Sequence, residues 1–349
     1  METGQENSRR KIYLDILRII ACFLVLLCHT ISFTYNSKLI EDNWFISNSL
    51  YYISKIAVPI FFMISGALML RKDIDYRQIA KKIFFRLLIP LIVISIIIYF
   101  KRTPTFSLEN IINFIKEFFN AEILLPLWFL YSLIGMYICT PFLRKMVKNM
   151  ENRDFKIFFA IWVIVTGIVP IIFYYAQIKI TNYFIIPIIG RYIPYYLLGY
   201  YMFERNEIKT SKKILIAVSL LGLISLIFSV VLTYFDIKVF GKETMFLDKV
   251  DYINLIIMTF SVCYIVKYIF ENRNFSEKVE KMILSVSSTT FGIYIIHGVL
   301  IGHFQFIYNN ISRYLGTSIG IILHNLIFFA ILSCIIYIIR KIPYVNKFI

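Results

Sequence analysis

The chain has 349 residues, 59 % of them hydrophobic and 17 % charged, with a mean hydropathy of +0.73. Soluble globular chains are about 25 % charged, so this composition excludes a soluble domain with one anchor and implies an all-α, polytopic helix bundle in a membrane. The net charge of +16 then reads as Lys and Arg loaded into the connections between spans rather than as a nucleic-acid surface.

Apolar runs place about ten spans, near 12–34, 51–70, 83–100, 123–143, 155–175, 183–203, 213–234, 251–270, 286–308 and 317–339. One alternate set of connections, with both termini, carries 23 Lys and Arg; the other carries 9. That bias predicts two cytoplasmic termini. The first run is too long for a cleaved leader and reads as an uncleaved anchor. One domain is expected over 1–349. The cysteines (Cys22, Cys28, Cys139, Cys263, Cys334) lie in apolar stretches without metal-ligand spacing, so they read as small core residues and no metal is expected.

Span one contains Asp15, Arg18 and His29. Each charge in a membrane helix costs roughly 2.5–3.5 kcal/mol on insertion scales, so such residues mark sites or pathways. Arg18 and His29 are eleven residues apart, which puts them on one face, roughly 16 Å apart along the axis. Asp15 can pair with Arg18 at i, i+3. His29 reads as a general base or as a hydrogen-bonded core histidine.

In span two, Ser65-Gly66 is a small pair that admits a close helix or a ligand. Arg86 opens span three beside Lys81 and Lys82. With Arg18 they form either a basic mouth for the phosphates of an anionic cofactor or, for the lysines, flanks that set topology. Ser107 and the apolar positions after it predict an amphipathic helix in the 101–121 connection, as a packing cap or a lid. Trp128 and Tyr131 start span four as interface aromatics or as the wall of an acceptor site. Arg191 in span six needs a partner that the sequence does not name. In span nine, Tyr294 and His297 share a face at i, i+3, and Gly298 with Gly302 suggests a small-residue seam. His297 is a second site candidate; His303 and His324 are not.

Several of these stretches together resemble the acyltransferase-3 family of bacterial membrane proteins. They are Tyr13-Leu-Asp15-Ile-Leu-Arg18 through His29, Phe61-Phe-Met-Ile-Ser65-Gly66, Arg86-Leu-Leu-Ile-Pro90, Trp128-Phe-Leu-Tyr131 through Pro141, and Phe291-Gly292-Ile-Tyr294-Ile-Ile-His297. The resemblance implies about ten spans, a bacterial plasma-membrane location, and transfer of acetyl or another short acyl group from acyl-coenzyme A to a surface or lipid-linked carbohydrate. It implies His29 as catalytic residue with Arg18 as its basic partner; His297 and Tyr294 are then expected to position or hydrogen-bond the reacting groups. Arg86, Lys82, Arg18 and Ser65 are then expected at the donor, and Trp128 and Tyr131 at the acceptor. Many members carry Arg-x-x-Arg before or within span three; here Ile83 stands three before Arg86, and Lys82 is the nearest basic residue. Without an added hydrolase-like domain, the expectation is a stand-alone O-acetyltransferase embedded in the bilayer, compatible with a homo-oligomer and without nucleic acid. The rival readings are a polysaccharide or lipid exporter, an assembly partner of a surface-polymer synthase, and an acyltransferase of the unrelated fold in which His297 alone would be essential.

Overall fold

The computed structural model describes residues 10–32, 43–71, 75–121, 123–178, 190–240, 246–343 and 345–348. Among them the secondary structure is helical throughout, and nine stretches are long and apolar enough to cross a bilayer. They coincide with nine of the ten predicted spans. The tenth, 183–203, lies partly outside the described residues.

The first helix, α1 (Ile12–Ile31), is central and touches α2 (Trp44–Lys55), α3 (Ala57–Arg71), α12 (Ile253–Phe270), α13 (Glu277–Leu300) and α15 (Thr317–Ile339). Helices α2 and α3 form one span, broken at Ile56. Pro59 causes the break, because it has no N–H to give the Lys55 carbonyl. Proline has a similar effect twice more. Pro90 cannot bond Arg86, and a π-helical turn occupies Phe84–Leu88 between α4 (Tyr76–Ile83) and α5 (Ile89–Arg102). Pro170 cannot bond Thr166, and a second π turn occupies Val163–Ile168 between α8 (Asn152–Trp162) and α9 (Val169–Tyr175). Such turns re-aim the side chains around them and recur at functional sites.

The amphipathic helix expected in the 101–121 connection is α6 (Leu108–Phe119), capped by the Ser107 hydroxyl, which accepts the Asn110 N–H at 3.2 Å. It buries no residue, so its apolar face is available to lipid. The fourth span is α7 (Trp128–Asn149).

Burial separates the inner helices from the lipid-facing ones. In α2–α3, 67 % of the most apolar window is buried; in α8–α9, 17 %. Helix α11 (Lys212–Phe240) shows lipid its Leu220, Leu223, Ile224 and Ile227, and turns Ser225, Ser229, Thr233 and Asp236 inward. These polar residues join helices. Asn254 donates to Ser229 Oγ at 2.9 Å, and Tyr52 shares a hydrogen bond with Thr233 at 2.6 Å.

Gly66 of α3 and Gly199 of α10 (Ile193–Gly199) let two helices approach closely. A Cβ on Gly66 would stand 1.8 Å from the Tyr196 carbonyl oxygen, and one on Gly199 1.9 Å from that of Met63. Two backbones therefore touch where the sequence offered Ser65-Gly66. The expected seam of Gly298 with Gly302 is only half present. A Cβ on Gly298 would meet side-chain carbons of Leu124 and Pro126 at 3.0 Å, whereas one on Gly302 would find nothing within 4 Å. Helix α13 ends at Leu300 and a 3-10 turn follows, so the i, i+4 register is lost before Gly302. Beyond it lies α14 (Gln305–Leu315).

Candidate functional site

The two ends of α1 hold the two halves of the predicted site. Near its start, Asp15 is almost wholly buried and receives four hydrogen bonds. Arg10 donates two, at 2.8 and 2.7 Å, Arg18 one at 3.0 Å, and Ser287 of α13 one at 2.6 Å. The i, i+3 pair expected from the sequence is present, and a serine near the middle of α13 completes it. Outside the span, the Asp15 hydrogen bond raises the Arg10 guanidinium above its ordinary pKa, so Arg10 stays charged.

Arg18 is thus partly committed to Asp15. Lys82 is also engaged, with Nζ 2.8 Å from Met69 Sδ and 5.3 Å from the Tyr137 ring centre. Ser65 and Arg18 both lie within electrostatic reach of the Tyr137 hydroxyl. Three of the expected donor-site residues therefore converge on buried Tyr137, which sequence reasoning did not single out. Its signal was available: it lies on the same helix as Trp128 and Tyr131, four residues before Pro141. Arg86 stands apart on the π turn. It is exposed and makes no hydrogen bond or ion pair among the described residues.

At the other end, His29 opens into a cavity of about 1420 Å³, also lined by Tyr51, Lys55, Trp128, Tyr192, Asp251 and Tyr294. Its volume exceeds the roughly 300–1,000 Å³ of common ligand pockets. The His29 and His297 rings lie 5.1 Å apart, centre to centre. Sequence spacing could not pair them; the packing of α1 on α13 does. His297 is fully buried, and its Nδ1 is 2.6 Å from the Tyr294 carbonyl oxygen. A carbonyl only accepts, so Nδ1 carries the proton and Nε2 keeps its lone pair. That Nε2 has no partner among the described residues. Leaving a buried polar atom unsatisfied costs about 1–3 kcal/mol, which invites a functional explanation.

Tyr294 is on the cavity wall, and its hydroxyl donates to the Pro126 carbonyl. It thereby ties α13 to the entrance of α7. Trp128 stacks on Tyr192 at 5.7 Å, and Tyr192 on Phe62 at 4.3 Å, which gives the cavity a flat aromatic wall. Tyr131 does not line the cavity; its hydroxyl donates to the Phe118 carbonyl at 2.6 Å and fastens the end of α6. His303 is exposed, and His324 is buried near Thr30 at 3.4 Å; neither lines the cavity.

Sequence reasoning missed two lysines inside spans. Lys55 lines the cavity and pairs with Asp248 at 3.2 Å, where Tyr51 also donates at 2.8 Å. Lys267 is fully buried and donates to the carbonyls of Met202 and Ile208 at 3.1 and 2.7 Å. Both interrupt apolar runs, which was their signal. The structure separates them: Lys267 secures backbone, and Lys55 faces open space.

Residues 11–340 match the model of the acyltransferase-3 family, described as an acyltransferase domain. No curated protein and no solved structure matches the chain. With the match spanning nearly the whole helical bundle, the chain belongs to the acyltransferase-3 family of membrane acyltransferases.

Proposed function

We propose that this chain transfers an acyl group, in the first instance acetyl, from acyl-coenzyme A to a hydroxyl of a cell-surface or lipid-linked carbohydrate, with His29 as catalytic residue. The observation that carries this reading is the position of His29. It lies on the wall of a large aromatic cavity, beside a second histidine whose outer nitrogen is unpartnered.

The donor approaches from the Asp15 side, the side of both termini, which is cytoplasmic on the charge bias. Its phosphates meet Arg86 first, because that guanidinium is uncommitted, and then Lys82 and the remaining donors of Arg18. Ser65 and Tyr137 border the path toward His29. The acceptor enters the cavity from the opposite side and stacks on Trp128.

His29 then removes the proton from the acceptor hydroxyl as its oxygen attacks the thioester carbonyl. A C–O bond forms and the C–S bond breaks. The coenzyme A sulfur leaves with the electron pair and takes the proton back from His29. In a two-step variant His29 itself carries the acyl group between donor and acceptor. His297 is a positioning residue: its Nδ1–H is held by the α13 backbone, so Nε2 faces its surroundings as a fixed acceptor. Tyr294 positions the α7 entrance through Pro126.

The test uses purified protein in nanodiscs with radiolabelled acetyl-coenzyme A, comparing wild type, His29→Ala and His297→Ala. Cofactor binding and coenzyme A release are followed together. Binding by all three, with turnover abolished in His29→Ala, is the expected result. Wild-type turnover in His29→Ala overturns the assignment of His29. Absence of donor binding by well-folded wild type overturns the donor assignment and favours an exporter or an assembly partner.

A further inference from the structure

The rim of the His29 cavity carries charges that proton abstraction does not need. Three cations border it, Lys55, Arg191 and Lys249, with two carboxylates, Asp248 and Asp251. Asp248 accepts from Tyr51 and pairs with Lys55. Asp251 lies near Lys249 and Arg191, and burial pushes its carboxyl above the ordinary range despite their pull. The rim therefore favours negative charge.

Arg191 is the least constrained of the cations. Its side chain is exposed, and its guanidinium makes no hydrogen bond or close ion pair among the described residues. Its backbone holds φ at 49°, in the left-handed region that L side chains disfavour. Strain of this kind persists where surrounding structure enforces it, and it clusters at ligand clamps. The neighbouring Tyr192 is the ring on which Trp128 stacks. An aromatic wall ending in a planar, always charged fork suits a sugar ring that stacks through its C–H face and bears an oxyanion.

We propose that Arg191, supported by Lys55 and Lys249, forms an anion subsite that anchors the acceptor through a phosphate or carboxylate while its hydroxyl meets His29. This rests on the reading that the acceptor occupies this cavity, and it narrows the substrate class to anionic glycans, either sugars carried on phosphate or uronic-acid sugars.

Equilibrium dialysis of the protein in neutral-lipid nanodiscs tests it, with three radiolabelled probes: glucose 1-phosphate, a glucuronate disaccharide and a neutral disaccharide. An anionic probe is expected to bind at least tenfold more tightly than the neutral one, with the advantage shrinking at high salt. Whichever anion is preferred identifies phosphate or carboxylate as the anchor. Arg191→Gly should erase the preference, and Arg191→Lys should retain part of it. Glycine fits the left-handed backbone better than arginine does, so loss in that variant is not a folding defect. Equal binding of charged and neutral probes, no binding of either anion, or a preference that survives Arg191→Gly overturns the subsite. Anion preference without coenzyme A release would sustain the subsite and sink acyl transfer; transfer without anion preference would do the reverse.

Discussion

The start and the end of α1 answer the same problem, a polar group inside an apolar bundle, in opposite ways. At the start, Asp15 is 4 % exposed and its carboxylate collects Arg10, Arg18 and Ser287. At the end, His29 faces a cavity of about 1420 Å³, next to a His297 nitrogen with no partner among the described residues. A saturated polar group rigidifies the fold around it. An unsatisfied one costs the fold about 1–3 kcal/mol and asks for a functional explanation. An intramembrane charge therefore does not by itself mark chemistry; the state of its partners does.

The largest effect expected from breaking this contrast is at its open end. His29→Ala should lower acyl transfer by about 10²–10⁴-fold, the usual contribution of a positioned general base, with the melting temperature unchanged. Asp15→Asn should show the converse. It leaves Arg18, 27 % exposed, without its counter-charge, and should cost about 3 kcal/mol of stability, read as the denaturant midpoint in detergent. If Asp15→Asn abolished transfer at full stability, the saturated end would be a catalytic site and the contrast would fail.

Next in size is the seam that holds the packed half together. In Gly66→Ala the added Cβ lies 1.8 Å from a backbone oxygen of Tyr196. Backbone cannot swing aside as a flexible side chain can, so α3 and α10 must separate. A loss of about 2 kcal/mol is expected, at the scale of overpacking. A Gly302→Ala control, with nothing within 4 Å, should fall within about 0.5 kcal/mol of wild type. Equal effects at the two glycines would mean that helix propensity, not the close approach, sets their cost.

Local features of this arrangement were legible in the sequence; contacts between distant segments were not. Asp15 and Arg18 pair because i, i+3 neighbours on one helix must meet. The Ser107 cap and Ser65-Gly66 read correctly because cap chemistry and side-chain size act within a few residues. The meeting of His29 with His297 is set by how α1 lies on α13, and no spacing along one helix encodes it. Lys55 was hidden for another reason. It sits inside an apolar run whose charges were counted only at the flanks, and it ends α2 just before the break at Ile56. The family resemblance supplied the catalytic role of His29 as an expectation, but not its contact with His297, nor Tyr137, Lys55 or Asp248.

The smallest expected effect separates the two arginines that share Asp15. By distance Arg10 looks the stronger partner, with bonds of 2.8 and 2.7 Å against 3.0 Å for Arg18. By exposure it is the weaker, at 58 % against 27 %. Water around an exposed guanidinium already solvates its charge, so closing the pair gains little, and the long side chain loses rotamer freedom to do so. Exposure should win. Arg10→Ala is expected to cost no more than about 1 kcal/mol, less in 1 M salt, and to leave acyl transfer within twofold. Arg18→Ala should cost more, because the buried carboxylate then relies on a solvent-screened partner and on Ser287. A double-mutant cycle of each arginine with Asp15→Asn isolates the two couplings. A coupling for Arg10 as large as that for Arg18 would show that the Asp15 hub is a tether for the start of α1, with the residues just before the span holding the helix in register against α13.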